Sequence, residues 1–301
     1  MNKRISKDFK LCNFKGNIIK NASMKRYTTI QIGGNANFLC MPKDINDLIG
    51  LVKFCSKKRI PLLAIGRGSN IIVSDKGFKG VAIRLSYKFF KGISICRNNI
   101  SVGAGVFLND LCNKAENNSL SGCEFLVGIP ATVGGTIIQN AGAHKQSISD
   151  ILEEIKCVNK KGDIEVIKAK NISFGYRESG LKDKIIVSAI FKLKAAKKTD
   201  IKDRVQCYME KRLNLQDYRS PSAGCFFKDP DNSPLSAGAL IDKSKLKGKR
   251  VGGAAVSSKH ANFILNKGSA TSKDIIKLAD IIVKKVKQDS GITLKKEIEL
   301  I

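Results

Sequence analysis

The chain has 301 residues, 43% of them hydrophobic and 27% charged, a balance with ample core material that excludes a disordered tail or a disulfide-stapled miniprotein. At ~100–200 residues per domain, this length fits two domains or one domain with distinct lobes. Lys and Arg number 54 against 26 Asp and Glu, a formal net charge of +28. Partners of such a chain are expected to be anionic: nucleic acid, a membrane surface or phosphorylated small molecules.

The nine cysteines are widely scattered and form no C-x-x-C pair, so neither a zinc site nor a dithiol redox motif is indicated. Free thiols in that number fit a reducing cytoplasm. The N-terminus, MNKRISKDFKLCNF, is basic but lacks the apolar stretch of a signal peptide. No apolar run approaches the ~18–20 residues of a membrane span. The expectation is a soluble, cytoplasmic protein.

In chain order, residues 44–58 place Ile45, Leu48, Ile49, Val52 and Cys55 on one face behind Asp44, a capped helix. Residues 60–65 read as a short buried strand, 66–70 as a loop, and 71–74 and 81–85 as further β-runs. A strand at 100–103 precedes a helix at 108–117. Residues 151–158 and 164–167 flank a turn as a hairpin, and 185–193 is another strand. The polar run at 195–200 marks a boundary, with Thr199 or Asp200 capping a helix to about Asn214. The last helix spans 272–290, with Ser272 as cap, Ile275, Leu278, Ala279, Ile282 and Val286 as its stripe, and Gly291 as its stop. There is no sustained βαβ series. The fold class is α+β.

Two loops carry possible chemistry. Gly66-Arg-Gly-Ser-Asn70 follows a buried strand, and its glycines let backbone N–H groups approach a ligand closely. A strand signal follows it where a Rossmann fingerprint would open a helix, and no Gly-Lys-Ser/Thr makes it a P-loop. Alone it also fits an ordinary tight turn. Gly128-Ile-Pro-Ala-Thr-Val-Gly-Gly135, followed by Gln139-Asn-Ala-Gly142, is a longer backbone-lined surface. It equally suits a glycine-rich crossing between packed elements. Together the loops favour a dinucleotide cradle.

At these residues the sequence resembles the bacterial UDP-N-acetylenolpyruvoylglucosamine reductases. The matching blocks are Thr28-Thr-Ile-Gln-Ile-Gly-Gly34, both glycine loops, Phe174-Gly-Tyr-Arg-Glu-Ser179, Pro221-Ser-Ala-Gly-Cys-Phe-Phe-Lys228, Val251-Gly-Gly-Ala-Ala-Val256 and Leu294-Lys-Lys-Glu297. They run in family order from about residue 27 to the C-terminus. The short connection between Arg177 and Ile185 resembles the subtype without an inserted substrate-covering loop.

The resemblance implies a two-lobed FAD-binding unit of the vanillyl-alcohol-oxidase (PCMH) type, residues 1–86 and 87–195, followed by an α+β substrate domain, residues 196–301. It implies reduction of UDP-N-acetylglucosamine enolpyruvate to UDP-N-acetylmuramate, a peptidoglycan precursor, with non-covalent FAD and with NADPH as hydride donor. The catalytic set falls on Arg177, Cys225 and Glu297. A guanidinium suits the enolate charge, a protonated glutamate can hold the carboxyl side, and the thiol can protonate C2. A cysteine with an ordinary pKa of ~8.5 must stay protonated to do so.

Cofactor contacts fall on Gly66, Gly68, Ser69, Asn70, Gly128, Pro130, Thr132, Val133, Gly134, Gly135, Asn140 and Gly142. Substrate contacts fall on Tyr176, Arg212, Lys228 and His260. Each catalytic residue also has a plainer reading: a buried thiol at Cys225, an Arg177–Glu178 surface pair, and a solvated Glu297 with Glu299 as competitor.

The chain departs from the family pattern at His144, where tyrosine is frequent, at Asp229, where asparagine is common, and at Asp217, where proline is frequent. Two distant histidines make a poor metal site, and no metal is expected. Two rivals stand beside this reading. One is another FAD-linked oxidoreductase of the same binding fold. The other is a basic nucleic-acid binder, disfavoured because lysines are spread along the chain, Trp is absent and aromatics are only 6%.

Overall fold

The computed structural model describes residues 13–218 and 220–301. The N-terminal basic segment and Cys12 lie outside the described residues. The chain groups into two compact units that interleave in sequence. The first holds 13–21, 37–66 and 79–210, and the second 22–36, 67–78 and 211–301. The division between them in the third segment falls at 210/211, inside the helix Lys198–Leu215. The boundary expected at the polar run 195–200 overlaps the start of that helix, so Thr199 and Asp200 lie inside it rather than at its cap. The three consecutive blocks expected from the resemblance are a different division, since 22–36 and 67–78 group here with the C-terminal segment.

The first unit contains two sheets. One is four-stranded, in the order Asn17–Ser23, Asn35–Met41, Phe78–Ile83, Leu62–Ala64, its last two strands parallel. The helix Ile45–Lys57 buries Leu48, Leu51, Val52 and Cys55 against Phe38, Cys40, Val81 and Ile83. Asp44 caps it, accepting from the Asp47 N–H at 2.9 Å. Each apolar side chain so buried contributes about 1.5–3 kcal/mol, which is why this short amphipathic helix holds its place.

The second sheet has five antiparallel strands: Ile164–Lys168, Leu152–Val158, Ile185–Lys192, Asn99–Gly103 and Ile93–Cys96. The expected hairpin is its first pair. The Asn159 Oδ1 accepts from Lys161 N–H and Asp163 N–H, and Gly162 takes the left-handed conformation at φ +84°, closing the turn. Helix Leu108–Asn117 and a short helix Val133–Ile138 belong to this unit's larger core, with Phe125 and Phe191 fully buried.

The second unit is built on an antiparallel sheet in the order Ser222–Cys225, Phe263–Asn266, Ala254–Val256, Arg250–Val251. Helix Ser272–Ser290 buries the expected stripe, Ile275, Leu278, Ala279, Ile282 and Val286, in a core shared with helix Ala237–Lys243. Gly291 ends it in the left-handed conformation, as expected.

Its cap is corrected by the structure. Thr271, not Ser272, is the N-cap: Thr271 Oγ1 accepts from Asp274 N–H, and the Asp274 carboxylate accepts from Thr271 N–H. Such a reciprocal box needs an acid or amide three residues on. Asp274 supplies it for Thr271, whereas Ile275 cannot for Ser272. The Ser272 hydroxyl is thereby free to donate to Asp75 at 2.8 Å, tying in the 67–78 segment. The strand Ile71–Ile72 pairs in parallel with Glu299–Leu300 in the same unit.

Candidate active site

In the first unit Gly66, the first residue of one glycine loop, lies against Thr132 of the other, while residues 67–70 group with the second unit. Gly66 leaves the strand Leu62–Ala64 with Ile65 N–H held by Ile83 C=O at 2.8 Å. A Cβ on Gly66 would collide with the Thr132 Oγ1. Thr132 precedes the helix Val133–Ile138, whose first N–H groups are satisfied by protein: Val133 by Val106 C=O and Gly134 by Ala104 C=O. A Cβ on Gly134 would stand 3.0 Å from that of Ala104, so a larger residue there would push the helix and Ala104 apart by a few tenths of an ångström. Gly128 N–H donates to the Asn109 side chain. A Cβ on Gly135 would meet only Thr132 Oγ1, at 3.6 Å. The segment is thus backbone-lined and open at Gly135. Of the expected cradle, the N–H groups of Gly128, Val133 and Gly134 are taken by protein acceptors, and Gly135 is where the backbone has room beside it for a ligand.

Farther along, the segment 138–142 is zipped to 175–179. Asn140 Nδ2 donates to Gly175 C=O at 2.9 Å, the Ser179 hydroxyl to Ile138 C=O at 2.7 Å, and Arg177 Nη2 to Gly142 C=O at 3.1 Å. Gly175 and Glu178 bond each other's backbone and close a tight turn. Arg177 occupies that turn at φ +58°, a left-handed conformation that costs a non-glycine residue about 1–3 kcal/mol when it is held. Its guanidinium carbon lies 5.2 Å from the centre of the Tyr176 ring, which is half exposed.

In the second unit the strand Ser222–Cys225 is irregular. Ser222 pairs with Leu265 and Cys225 with Phe263, with a register shift between them. Gly224 sits there at φ +78°, and a Cβ on it would meet nothing within 4 Å. Such a bulge re-aims the side chain that follows it. Beyond Cys225 the chain is fixed by Asn262, whose Oδ1 accepts from Phe227 N–H at 2.9 Å and whose Nδ2 donates to Phe227 C=O at 2.8 Å. Glu297 N–H then donates to Phe226 C=O, and Lys228 N–H to Lys295 C=O, both at 2.9 Å.

Cys225 and Glu297 are therefore carried by two segments paired side by side. Glu297 is half-buried, while its competitor Glu299 is exposed in the terminal strand. The loop residue Asn70 joins the same place: its Nδ2 donates to Glu297 C=O at 3.4 Å, and its C=O accepts from Glu299 N–H. Gly68 takes φ +67° with its face filled by the Tyr27 carbonyl, and its own C=O accepts from Thr29 N–H. Asn262, in the turn before the strand Phe263–Asn266, is a support of this segment that no sequence motif marked.

The expected substrate residues in this unit fall into two groups. Arg212 Nη1 donates to Gln216 Oε1, which also accepts from the Tyr218 hydroxyl. His260 lies in a loop held by the buried Ser257 hydroxyl, which donates to Asp217 and accepts from Lys259 and His260 N–H groups. Burial pushes the His260 pKa down, Lys247 pushes the same way, and Asp229 opposes both. The departures from the family pattern also acquire partners. Asp217 anchors Ser257, Asp229 Oδ1 accepts from Ala237 N–H at 2.8 Å, and His144 stacks on Tyr208 with ring centres 4.1 Å apart.

Among the described residues no group of three or more His, Cys, Asp or Glu could hold a metal ion. No described helix is long and apolar enough to cross a membrane.

Residues 36–168 match the family model of the FAD binding domain. The fold resembles a variant of Phl p 4 described as a glucose oxidase, with a TM-score of 0.50 at 13% identity, over 64% of this chain and 44% of that one. The chain is thus a flavoprotein of the vanillyl-alcohol-oxidase type of fold, α+β throughout, with a separate C-terminal domain. Residues 216–301 match the model of the UDP-N-acetylenolpyruvoylglucosamine reductase C-terminal domain. Relatives of that name from Syntrophomonas wolfei and Prochlorococcus marinus are 38% and 40% identical over 93% of this chain and 94% and 96% of their own lengths. The crystal structure of the Thermus caldophilus enzyme of this name is 34% identical, with a TM-score of 0.80 over 95% of this chain and 98% of that one. The chain belongs to the UDP-N-acetylenolpyruvoylglucosamine reductase family.

Proposed function

We propose that this chain reduces the enolpyruvyl group of UDP-N-acetylglucosamine enolpyruvate to give UDP-N-acetylmuramate, in the cytoplasm, as a step of peptidoglycan precursor synthesis. Residues 1–86 and 87–195 form the flavin lobes and 196–301 the substrate domain. FAD is held by Gly66, Gly68, Ser69, Asn70, Gly128, Pro130, Thr132, Val133, Gly134, Gly135 and Gly142. When bound, FAD would supply the hydride, drawn from NADPH, that reduces C3 of the enolpyruvyl group.

The protein's own task is the charge and the proton. Hydride addition at C3 leaves an enolate on the carboxylate side, and the Arg177 guanidinium, charged at every working pH, stabilises it. Glu297 holds the carboxyl side, as a hydrogen-bond donor when it carries a proton. Cys225 delivers its proton to C2, which completes the reduction. Tyr176, Arg212, Lys228 and His260 bind the substrate, the two cations meeting its anionic groups and His260, its charged form disfavoured by burial, presenting a neutral ring.

The observation that most supports these roles is the pairing of 226–228 with 295–297, since the proposed proton donor Cys225 immediately precedes the first segment and Glu297 ends the second. The decisive experiment adds UDP-N-acetylglucosamine enolpyruvate to the yellow holoprotein with NADPH. Substrate-dependent loss of NADPH absorbance is expected. A colourless protein that cannot be reconstituted with FAD, or NADPH consumption indifferent to this substrate, would sink the reading.

A further inference from the structure

The turn that carries Arg177 is pinned from outside itself. Gly175 C=O, the first acceptor of the turn, receives Glu178 N–H at 3.2 Å and Asn140 Nδ2 at 2.9 Å, which uses both of its lone pairs. Asn140 is buried, and its Oδ1 accepts from Ser149 N–H at 3.3 Å. Asn140 itself sits at φ +39°, a conformation that asparagine tolerates better than most residues. Both ends of its amide are therefore spent on backbone. On the other side of the turn, the buried Ser179 hydroxyl donates to Ile138 C=O and accepts from Leu181 N–H. The strained residue between these two clamps is Arg177, whose own guanidinium returns to Gly142 C=O.

We propose that Asn140 is a positioning residue for Arg177, acting through the Gly175 carbonyl, and not a cofactor ligand. The proposal deepens the functional reading above and rests on it. Backbone held at a left-handed φ in a non-glycine residue persists only where surrounding contacts over-determine it. Asn140, from the segment next to the glycine cradle, and Ser179, reaching back to that segment at Ile138 C=O, supply those contacts. Loss of the Asn140 donor lets the turn relax and moves the guanidinium, and with it the charge stabilisation offered to the enolate.

The test uses the FAD-loaded full chain and Asn140→Asp, which keeps the shape, the φ tolerance and the acceptor for Ser149 but turns a carboxylate oxygen toward Gly175 C=O. Bleaching of the yellow colour by NADPH and the FAD dissociation constant are expected to stay at wild-type values. The return of colour on adding UDP-N-acetylglucosamine enolpyruvate is expected to slow roughly 10- to 100-fold, the scale of a small misplacement of a catalytic group. In an Arg177→Lys background the same substitution is expected to cost little more, because both changes act through one guanidinium. Amide exchange measured on the protein without substrate should rise at 175–179.

Weaker FAD binding with both half-reactions slowed alike would make Asn140 a cofactor ligand and overturn the proposal. Equal cost in the two backgrounds, or unchanged exchange at 175–179, would overturn it as well. A wild-type protein that is bleached by NADPH but never recovers colour with this substrate would instead sink the functional reading, and this proposal with it.

Discussion

Asn262 is expected to be the most sensitive polar residue of the second unit. It is 4% exposed and Phe227 1% exposed, so the bonds from Phe227 N–H and to Phe227 C=O, at 2.9 and 2.8 Å, are made out of reach of solvent. Asn262→Ala leaves both backbone groups without their partner. A buried polar group so stranded costs about 1–3 kcal/mol, which sums to roughly 2–6 kcal/mol for the pair. Water admitted by the truncation recovers part of this, and a net loss of about 3 kcal/mol is expected. Urea unfolding of the apoprotein, with a slope of ~1–3 kcal/mol per molar, would then show a midpoint lowered by about 1–3 M. Asn262→Asp, which keeps the acceptor but opposes a carboxylate to Phe227 C=O, should lose at least as much. A loss below about 1 kcal/mol for the alanine variant would refute the reasoning, because it would mean that Phe227 finds other partners at no cost.

Cys225→Ser is expected to retain part of the turnover, since a hydroxyl can still pass a proton. Cys225→Ala should bleach normally with NADPH yet recover colour with substrate about 100- to 10,000-fold more slowly, the usual contribution of a positioned acid; normal recovery would remove Cys225 from the mechanism. In the first unit, burial works against the charge of Glu124, but bonds from its own and the Gly122 N–H, the Ser121 hydroxyl and Arg204 outweigh it and lower its pKa. A depressed carboxylate contributes stability that is fully present above its unfolded pKa of ~4.3 and is lost as pH falls through the folded value. Glu124→Gln should therefore cost about 1.5–3 kcal/mol at pH 7 by thermal or urea unfolding, and the difference from wild type should shrink as pH drops below about 4. A difference independent of pH would show that the charge has no part in it.

Much of the fold is legible in the residues, and the misses have physical causes. The helices at 45–57, 108–117 and 272–290 announce themselves because each lays a continuous apolar stripe on one core. The strands Asn17–Ser23 and Asn35–Met41 do not, because their exposed and buried residues alternate imperfectly and polar residues interrupt them. Helix Val133–Ile138 is hidden in a glycine-rich stretch that propensity assigns to a loop. Tertiary contact overrides that preference: Gly134 lies tightly against Ala104, and its N–H donates to Ala104 C=O. The grouping of 22–36 and 67–78 with the C-terminal third is set by long-range bonds such as Asp75–Ser272 and Ile301–Ile72, which no local pattern encodes.

The candidate site divides along the same line. Arg177, Cys225 and Glu297 are reached through the resemblance of their motif blocks to the family, since 54 cations, nine cysteines and 26 acids leave residue type alone unable to single them out. The residues that aim them carry no distinctive chemistry: Asn140, Asn262 and Ser179 are neutral, buried and bonded to main chain. Their effect exists only once distant backbone carbonyls are brought to within hydrogen-bonding distance, so it is a property of the fold and not of the composition. The net charge of +28 follows the opposite logic. It is fully visible in the sequence and speeds the encounter with anionic ligands at long range, but a Debye length of ~8 Å at physiological salt leaves most of the dispersed lysines without influence on any one site. Arg177 and Arg212 are instead held separately, each by an uncharged group: in the first unit Arg177 donates to Gly142 C=O, and in the second Arg212, in the last turn of the helix Lys198–Leu215, donates to Gln216 Oε1.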